Sequence, residues 1–356
     1  MKLDQEFWRG RRVVLTGHTG FKGSWLAIYL HRLGAYVTGI ALAPETQPSL
    51  FAAAGVERFV EHHVCDIRDQ KKLTALIHAA QPDIVFHLAA QALVRRSYKQ
   101  PVETFATNIQ GTVHVLDALR GLGSVKAAIM VTTDKVYRNS EHGRAFAEND
   151  ELGGHDPYSA SKAASELIIA SYRDAYLRDQ GVRVASARAG NVIGGGDWSE
   201  DRLLPDAIRA WQSGQVLDIR SPESVRPWQH VLEPVYAYLS LAEAMVSERL
   251  SSGAWNFGPP SEANATVRHV VDLARQTYGV GEIHYATMPE GMHEAGLLSL
   301  NVEKARELLG IEARFTLEQA VATSVLWYRA FADGADALSL CLADIDTFDQ
   351  VCNPKI

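Results

Sequence analysis

The feature that most constrains the fold is a glycine-rich turn between the first predicted strand and the first predicted helix. The apolar run at 12–17 predicts a strand, and the segment Thr16-Gly17-His18-Thr19-Gly20-Phe21-Lys22-Gly23 follows it. Apolar residues at helical spacing over 24–33 then predict a helix that ends at Gly34. In such a junction one glycine permits a tight turn, another lets backbone approach a pyrophosphate, and a third lets helix pack on strand. Because helix N-termini bind phosphate, the turn predicts a dinucleotide site.

Strands and helices alternate along the first 190 residues, which predicts βαβ units and a parallel sheet. Further strands are predicted at 35–42, 83–90, 127–133 and 183–192, with helices near 69–80, 102–120 and 158–180. The alternation indicates an α/β fold, a Rossmann-type doubly wound parallel sheet with a smaller α/β substrate-binding lobe. We expect residues 1–190, with about 229–257, to form the dinucleotide domain, and about 191–228 and 258–356 to form the lobe. Helices of the later region are predicted near 204–213, 233–250, 266–279, 303–309 and 316–332.

Composition excludes several classes of protein. The formal net charge is -7, which lacks the basic balance of a nucleic-acid-binding protein. No stretch approaches 18 consecutive apolar residues, and the N-terminus lacks a signal peptide, so we expect no membrane span and a cytoplasmic location. The three cysteines, Cys65, Cys341 and Cys352, form neither a disulfide framework nor a metal-ligand set, and no metal is expected.

The adenosine end of the dinucleotide site is less regular. A carboxylate normally follows the second strand and binds the ribose hydroxyls, but the chain reads Ala41-Leu42-Ala43-Pro44-Glu45 there. Glu45 is a candidate substitute from the loop. No arginine is present to bind a 2′-phosphate, so NAD is favoured over NADP. Asp66 is open to two interpretations, a hydrogen bond to the adenine amine or an N-cap for the next helix.

Two further motifs point to catalysis. Tyr158-Ser159-Ala160-Ser161-Lys162 places a tyrosine and a lysine on one helix face, and a lysine cation near the phenol is expected to lower the tyrosine pKa below 10. Thr133-Asp134-Lys135 follows a predicted strand, at the edge of the sheet where ligands bind. Thr133 is placed to hydrogen-bond the reacting oxygen, while Asp134 and Lys135 bring an acid and a potential base. The alternative for Asp134 and Lys135 is an exposed turn pair.

Together these residues resemble the extended short-chain dehydrogenase/reductases that modify sugar nucleotides. The pattern includes the glycine turn, Asp66-Ile67, His87-Leu88-Ala89-Ala90, Asn108, Thr133 and the tyrosine–lysine pair, and it continues through Arg188-x-Gly190-Asn191-Val192, Asp201 to Pro205 and Arg226-Pro227-Trp228-x-His230-Val231. Within the family, Thr133-Asp134-Lys135 and the loop at 190–198 are most similar to the 4,6-dehydratases that act on CDP-glucose, with NAD as cofactor. The resemblance implies dinucleotide contacts from Gly17, His18, Gly20, Phe21, Lys22, Gly23, Asp66, Ile67, Leu88, Ala89, Ala90, Asn108, Tyr158 and Lys162.

The resemblance also implies a mechanism. Tyr158 would take the O4 proton while sugar C4 is oxidised, and the C4 ketone would acidify the C5 proton. Asp134 is expected to be the acid that helps the C6 hydroxyl leave, and Lys135 the base at C5. In the alternative assignment Lys135 only orients Asp134, which does both.

Substrate contacts are expected from Asn191, Arg202, Leu203 and Arg226, since a diphosphate requires cations. Arg226 is alternatively an ion-pair residue between lobes, and Trp228 and His230 are alternatively core residues. The helices near 102–120 and 158–176 imply a homodimer or homotetramer built on a four-helix interface. Competing functions are a dTDP- or GDP-sugar dehydratase, a 4-epimerase, or a non-catalytic NAD-sensing regulator.

Overall fold

The computed structural model describes residues 2–139, 143–250, 252–287 and 298–351, and its centre is a seven-stranded parallel sheet. Within these residues the strands are, in chain order, β1 (Arg12–Thr16), β2 (Tyr36–Ala41), β3 (Glu61–Val64), β4 (Ile84–His87), β5 (Ala127–Val131), β6 (Arg183–Ala189), β7 (Val192–Ile193), β8 (Leu217–Ile219), β9 (Val225–Arg226), β10 (Gln229–His230), β11 (Gly253–Phe257), β12 (Ala265–Thr266) and β13 (Ile283–Tyr285). The α-helices are α1 (Gln5–Trp8), α2 (Phe21–Leu33), α3 (Leu50–Ala53), α4 (Gln70–Ala80), α5 (Val94–Lys99), α6 (Pro101–Phe105), α7 (Gly111–Ala118), α8 (Pro157–Tyr172), α9 (Leu203–Gln212), α10 (Leu232–Val246), α11 (Val267–Tyr278), α12 (Glu303–Leu309), α13 (Leu317–Ala332) and α14 (Ala337–Gln350).

The central sheet has the strand order β11-β6-β5-β4-β1-β2-β3, and every pairing in it is parallel. The chain moves from β1 toward one edge through β2 and β3, and then from β4 toward the other edge. The direction therefore reverses between β1 and β4. In open parallel sheets, ligands bind beyond the carboxyl ends of the strands at this reversal.

Both faces of the sheet are buried, which explains its continuous apolar strands. Along β1, Val13 and Leu15 join the core on one face, while Val14 joins a second core on the other. All five residues of β5 are buried. Each fully buried valine or leucine contributes about 1.5–3 kcal/mol relative to exposure. The doubly wound parallel sheet predicted from the alternation is confirmed.

Several predicted boundaries differ from the structure. The single strand predicted at 183–192 is two strands: β6 lies in the central sheet, whereas β7 pairs with β10 outside it. The helix predicted near 102–120 contains a π-helical segment, Ala106–Gln110. The tail from 333 contains α14, which packs on α2, α3 and α13. The boundaries of the two lobes stay a prediction.

Small sheets lie outside the central one. β9 pairs with β12 in antiparallel orientation, while β7 pairs with β10 and β8 with β13 in parallel. Trp228 and His230, at the junction with β10, are buried. His230 contacts the rings of Trp25 and Phe315 edge-on. These contacts favour the core interpretation of both residues over a substrate role.

Candidate active site

The three glycines of the turn differ in how much space the protein leaves for a side chain. Gly17 has φ +79°, and a Cβ there would lie 2.7 Å from the Ala89 backbone nitrogen. At Gly23 a Cβ would lie 2.1 Å from the Gly17 carbonyl oxygen. At Gly20 it would meet no described protein atom closer than 3.4 Å. Packing within the protein therefore requires Gly17 and Gly23 but not Gly20, and the approach of a ligand to Gly20 stays a prediction.

The helix after this turn begins without a side-chain cap. Gly20 is the N-cap of α2 and has φ -79°, an ordinary backbone conformation. The first N–H groups of an α-helix have no partner within the helix, so they bind anions well. The turn and the helix terminus together fit the pyrophosphate of a dinucleotide. Phe21, the first helical residue, packs near Gly194, where a Cβ would lie 3.1 Å from the Phe21 ring.

His18 of the turn is fully buried rather than exposed to a ligand. Its Nε2 lies 2.7 Å from Nδ1 of His62 on β3, and its ring packs over Gly39. Burial and the neighbouring histidines lower the pKa of His18 to about 3. The ring is therefore neutral and links the turn to the sheet edge. A cofactor contact from its side chain stays a prediction.

The end of β4 lies beside the turn. The Ala89 backbone nitrogen donates to Thr16 Oγ1 at 3.2 Å, and the Leu88 nitrogen donates to the Thr16 carbonyl oxygen at 3.1 Å. Leu88, Ala89 and Ala90 are all partly exposed at this edge. The structure therefore brings these three residues next to the glycine turn, as a shared cofactor site requires.

Asn108 is 1% exposed, and its side chain is occupied by protein partners. Its oxygen accepts from the Gln91 backbone nitrogen at 2.8 Å, and its amide donates to the Gln91 carbonyl at 3.0 Å and to Ser161 Oγ at 2.9 Å. Ser161 lies between Tyr158 and Lys162 on α8. These bonds indicate that Asn108 positions the catalytic helix, and its direct dinucleotide contact stays a prediction.

Asp66 follows β3, where the adenosine end of the dinucleotide is expected. Its oxygens accept from Arg68, with a shortest distance of 2.6 Å, and this hydrogen bonding holds the Asp66 pKa below its usual range. The N-cap of α4 is Asp69, not Asp66, so the capping alternative was wrong. Ile67 packs against Gly111, where a Cβ would lie 2.3 Å from its side chain.

Glu45 does not lie at the tip of β2. Its carboxylate pairs with Arg96 at 2.5 Å, and Arg96 also pairs with Glu200 at 3.0 Å. The two salt bridges draw the carboxylate toward α5, so the structure lends no support to Glu45 as a ribose ligand. Leu42, which is 49% exposed, follows the strand instead.

The catalytic side chains converge where β5 meets α8. Asp156 caps α8 and Pro157 occupies its first turn, which places Tyr158 at the start of the helix and Lys162 one turn later. Tyr158 and Thr133 lie close enough for the Thr133 side chain to lower the pKa of the phenol in part. Lys162 Nζ donates to the Val131 carbonyl oxygen at 3.1 Å. The phenol therefore lies within reach of Thr133, as the proposed chemistry requires.

The expected lowering of the Tyr158 pKa is wrong for the protein by itself. Burial raises the pKa of Tyr158 to about 12, although the hydrogen bond from Thr133 and the charge of Arg202 lower it in part. Burial likewise lowers the pKa of Lys162 to about 8. Desolvation outweighs the favourable charges because both groups are buried.

Asp134 and Lys135, the predicted acid–base pair, lie close together in the structure. Asp134 is 1% exposed, its Oδ1 accepts from Thr133 Oγ1 at 2.9 Å, and Lys135 Nζ lies 3.5 Å from the same oxygen. The other oxygen, Oδ2, has no hydrogen-bond partner among the described residues. A Cβ at Gly190 would lie 3.1 Å from Oδ2. The exposed-turn alternative is therefore wrong for Asp134.

Lys22 is expected to contact the dinucleotide, and this contact stays a prediction. In the structure its Nζ donates to the hydroxyl of buried Tyr238 at 3.4 Å. Burial and the charges of Arg202 and Lys162 lower the pKa of Lys22 to about 8, while Asp134 raises it. Three cations thus lie close enough to interact at the catalytic centre, which suits anionic ligands. Tyr238 carried no sequence signal, because it lies inside an apolar helix.

The four predicted substrate residues differ in their surroundings in the structure. Asn191 follows Gly190, and its Oδ1 is buried without a partner among the described residues. Arg202 interacts with Tyr158 and Lys22, and its Nη2 donates to the Ala92 carbonyl at 3.3 Å. Leu203 begins α9. Arg226 is 6% exposed on β9, and its Nη1 donates to the Val225 carbonyl at 2.9 Å. Their substrate contacts stay predictions.

Other expectations concern metals, thiols and membranes. Among the described residues, no cluster of three or more histidine, cysteine or carboxylate side chains has the arrangement of a metal site. Cys65 and Cys341 are free thiols, and Cys352 lies outside the described residues. In the same part of the chain, every helix is too short or too polar to cross a membrane.

A family comparison agrees with this geometry. Residues 13–258 match the model of the NAD dependent epimerase/dehydratase family. The chain belongs to the NAD dependent epimerase/dehydratase family. It is 43% identical to CDP-glucose 4,6-dehydratase of Salmonella typhimurium over 97% of this chain and 98% of the relative. It is 26% identical to dTDP-glucose 4,6-dehydratase 1 of Escherichia coli, over 89% and 92% respectively.

Solved structures of epimerase/dehydratase proteins show the same fold. UDP-glucose-4-epimerase from Stenotrophomonas maltophila, with bound NAD, superposes with a TM-score of 0.79 at 22% identity, covering 91% of this chain and 100% of that one. The dTDP-glucose 4,6-dehydratase DesIV from Streptomyces venezuelae, also with NAD, gives 0.76 at 23%, covering 92% and 99%. The expected extended short-chain dehydrogenase/reductase architecture is confirmed.

Proposed function

We propose that this chain is a 4,6-dehydratase that converts CDP-glucose to CDP-4-keto-6-deoxyglucose and water with bound NAD. The observation that carries the proposal is that Tyr158 and Asp134 both lie next to Thr133. Thr133 Oγ1 donates to Asp134 Oδ1 at 2.9 Å and also lies close enough to Tyr158 to affect its pKa, so the proposed elimination acid and oxidation base share one neighbour. The 43% identity to a CDP-glucose 4,6-dehydratase supports the substrate.

In this proposal the cofactor is held by the glycine turn, α2 and the end of β4. Bound NAD would supply the hydride chemistry of the reaction, as oxidant at sugar C4 and as reductant at C6, while the base at C5 returns its proton to that carbon. Tyr158 takes the O4 proton, and Thr133 holds O4 through its hydroxyl. Burial raises the pKa of Tyr158 to about 12. For Tyr158 to act as a base in this step, positive charge close to its hydroxyl has to stabilise the phenolate.

The elimination step belongs to Asp134 and Lys135. The C4 ketone acidifies the C5 proton, which Lys135 accepts, while Asp134 gives a proton to the C6 hydroxyl so that water leaves. The unpartnered Oδ2 of Asp134 suits this donation, since its Oδ1 is occupied by Thr133 and Lys135. In the alternative assignment Lys135 orients Asp134 and the carboxyl performs both transfers.

Substrate binding follows the charge of the site. Arg202 and Arg226 are proposed to bind the CDP diphosphate, since guanidinium groups bind phosphate in bidentate fashion. The buried Asn191 Oδ1 is proposed to accept a hydrogen bond from the nucleotide sugar. Arg202 and Lys162 act on Lys22 together with Asp134, and Glu166 acts on Lys162, so the cations outnumber the carboxylates, which favours an anionic ligand.

The test is incubation of the purified protein and NAD+ with CDP-, dTDP-, UDP- and GDP-glucose in parallel, followed by mass measurement. We expect loss of one water from CDP-glucose, and a product that absorbs in the near ultraviolet after alkali. Tyr158→Phe is the matched inactive control. Loss of water from another nucleotide alone would reassign the substrate, a mass-neutral epimer would indicate an epimerase, and no reaction with any would refute the proposal.

A homodimer or a larger even assembly is also proposed. Large apolar side chains are exposed along the two helical segments expected to pair: Val102 is 81% exposed, Phe105 37%, Leu167 65% and Tyr176 43%. Burying them against a second copy would remove apolar surface from water. Sedimentation at micromolar concentration tests this, with Leu167→Asp as the variant. A monomeric wild-type protein would exclude the dimer.

A further inference from the structure

A buried ion pair lies directly behind the catalytic turn. Glu166 of α8 and Arg188 of β6 are 4% and 3% exposed, and Arg188 Nη2 lies 2.7 Å from Glu166 Oε2. Glu166 Oε1 also accepts from Thr132 Oγ1 at 2.5 Å, and Oε2 accepts from Ser186 Oγ at 2.7 Å. Buried charges that are fully hydrogen-bonded keep a single arrangement, whereas loss of one partner leaves an uncompensated charge.

The Arg188 guanidinium also contacts Tyr137, which follows the catalytic turn. Arg188 Nη1 donates to the Tyr137 hydroxyl at 2.8 Å, and this hydroxyl donates to Asn256 Oδ1 at 2.6 Å. Arg188 also lies over the Tyr137 ring, 5.0 Å from its centroid. Tyr137 is 2% exposed and Asn256 is completely buried. The hydrogen bonds therefore run without interruption from α8 through β6 to β11.

The two side chains that the pair holds flank the catalytic tripeptide. Thr132 immediately precedes Thr133-Asp134-Lys135, and Tyr137 follows it after one residue. We propose that the Glu166–Arg188 pair, acting through Thr132 and Tyr137, positions this turn so that Asp134 and Lys135 meet the sugar. The inference rests on the proposed dehydratase function and adds positioning residues to it. Glu166 and Arg188 themselves do not touch the reacting atoms.

The Glu166–Arg188 pair with its partners Thr132 and Tyr137 is called the clamp. The elimination step depends on this clamp more than the oxidation step does. Tyr158 has separate anchors, because its backbone nitrogen donates to Ser97 Oγ at 3.2 Å and its helix is capped by Asp156. Asp134 lies in the turn itself, where its position follows that of the backbone between Thr132 and Tyr137. A shift of the turn would move Asp134 from C6 and Thr133 from O4, but Tyr158 would stay near O4, so elimination should slow more than oxidation. Oxidised sugar and reduced cofactor would then accumulate together.

The test uses Tyr137→Phe, which removes the hydroxyl between Arg188 and Asn256 while the ring keeps its stacking on Phe146 at 4.9 Å. Thr132→Val, which is nearly isosteric, removes the hydroxyl that donates to Glu166 Oε1. The control is Tyr29→Phe, another buried tyrosine, whose hydroxyl bonds Asp349 at the far helix α14. Each variant is mixed with CDP-glucose, and product, absorbance of reduced cofactor and Tm are followed.

We expect both clamp variants to form product about tenfold more slowly or worse, since small misplacements of catalytic groups are costly. Their steady-state fraction of reduced cofactor should rise above that of wild type, whereas Tyr29→Phe should lose comparable Tm without that rise. Clamp variants that lower Tm but leave the reduced fraction unchanged would overturn the inference. A wild-type protein that removes no water from CDP-glucose would instead refute the proposed function, independently of the variants.

Discussion

Gly20→Ala separates cofactor binding from folding. The backbone at Gly20 has φ -79° and ψ 167°, which alanine adopts without strain, and its Cβ would meet no described protein atom closer than 3.4 Å. Replacing glycine by alanine at a compatible site stabilises by about 0.4–1 kcal/mol through the unfolded chain. Alanine is a poorer N-cap than glycine by a similar amount. The free energy of unfolding should therefore change by less than about 1 kcal/mol.

The same methyl group would stand where the pyrophosphate approaches the backbone. We expect the Kd for NAD+ to rise about tenfold or more, which corresponds to about 1.4 kcal/mol of binding free energy. Calorimetric titration with NAD+ measures the affinity, and urea unfolding measures the stability. Gly23→Ala is the matched contrast, since its Cβ would lie 2.1 Å from the Gly17 carbonyl oxygen and overpacking costs about 1–3 kcal/mol.

The two variants thus have opposite signatures. Gly20→Ala should bind NAD+ weakly and unfold like wild type, while Gly23→Ala should lose stability even without NAD+. Wild-type affinity in Gly20→Ala would show that the dinucleotide does not approach this turn, and the cofactor site would have to be placed elsewhere.

Three other predictions concern catalysis and pH. Lys135→Ala should block dehydration while reduced cofactor still forms, measured by absorbance on adding CDP-glucose; unaltered dehydration would remove Lys135 from the mechanism. Tyr158→Phe should lower the dehydration rate about 10²–10⁴-fold with Tm nearly unchanged, since one hydroxyl is lost; wild-type turnover would exclude Tyr158 as the base. Burial, with a smaller effect from the Lys162 charge, lowers the pKa of His87 to about 3, so the unfolded chain binds a proton below about 6.5 and the folded chain does not. Wild type should therefore lose about 1.4 kcal/mol of stability per pH unit relative to His87→Asn as the pH falls from 6.5 to 4.5, and parallel stability curves in urea would contradict this.

Local patterns in the sequence predicted much of the site. The glycine turn, the tyrosine–lysine spacing and the strand before Thr133 depend on neighbours in the chain, and the structure has each at its expected element. His18 shows the limit of such reasoning. Its position in the turn suggested a ligand contact, but its ring is buried against Gly39 of β2 and His62 of β3. That contact depends on how the strands pair, which is not visible in the turn.

The amino-acid order alone therefore determined the alternation of strands and helices, the phosphate turn and the residue types at the catalytic edge, because backbone propensity and hydrophobic periodicity are local. Only the tertiary structure decided which way Lys22 points, that Glu45 pairs with Arg96, and that burial raises rather than lowers the Tyr158 pKa. The physical reason is that desolvation and ion pairing depend on what surrounds a group in space. Residues distant in the chain, such as Tyr238 beside Lys22, supply those surroundings only after folding.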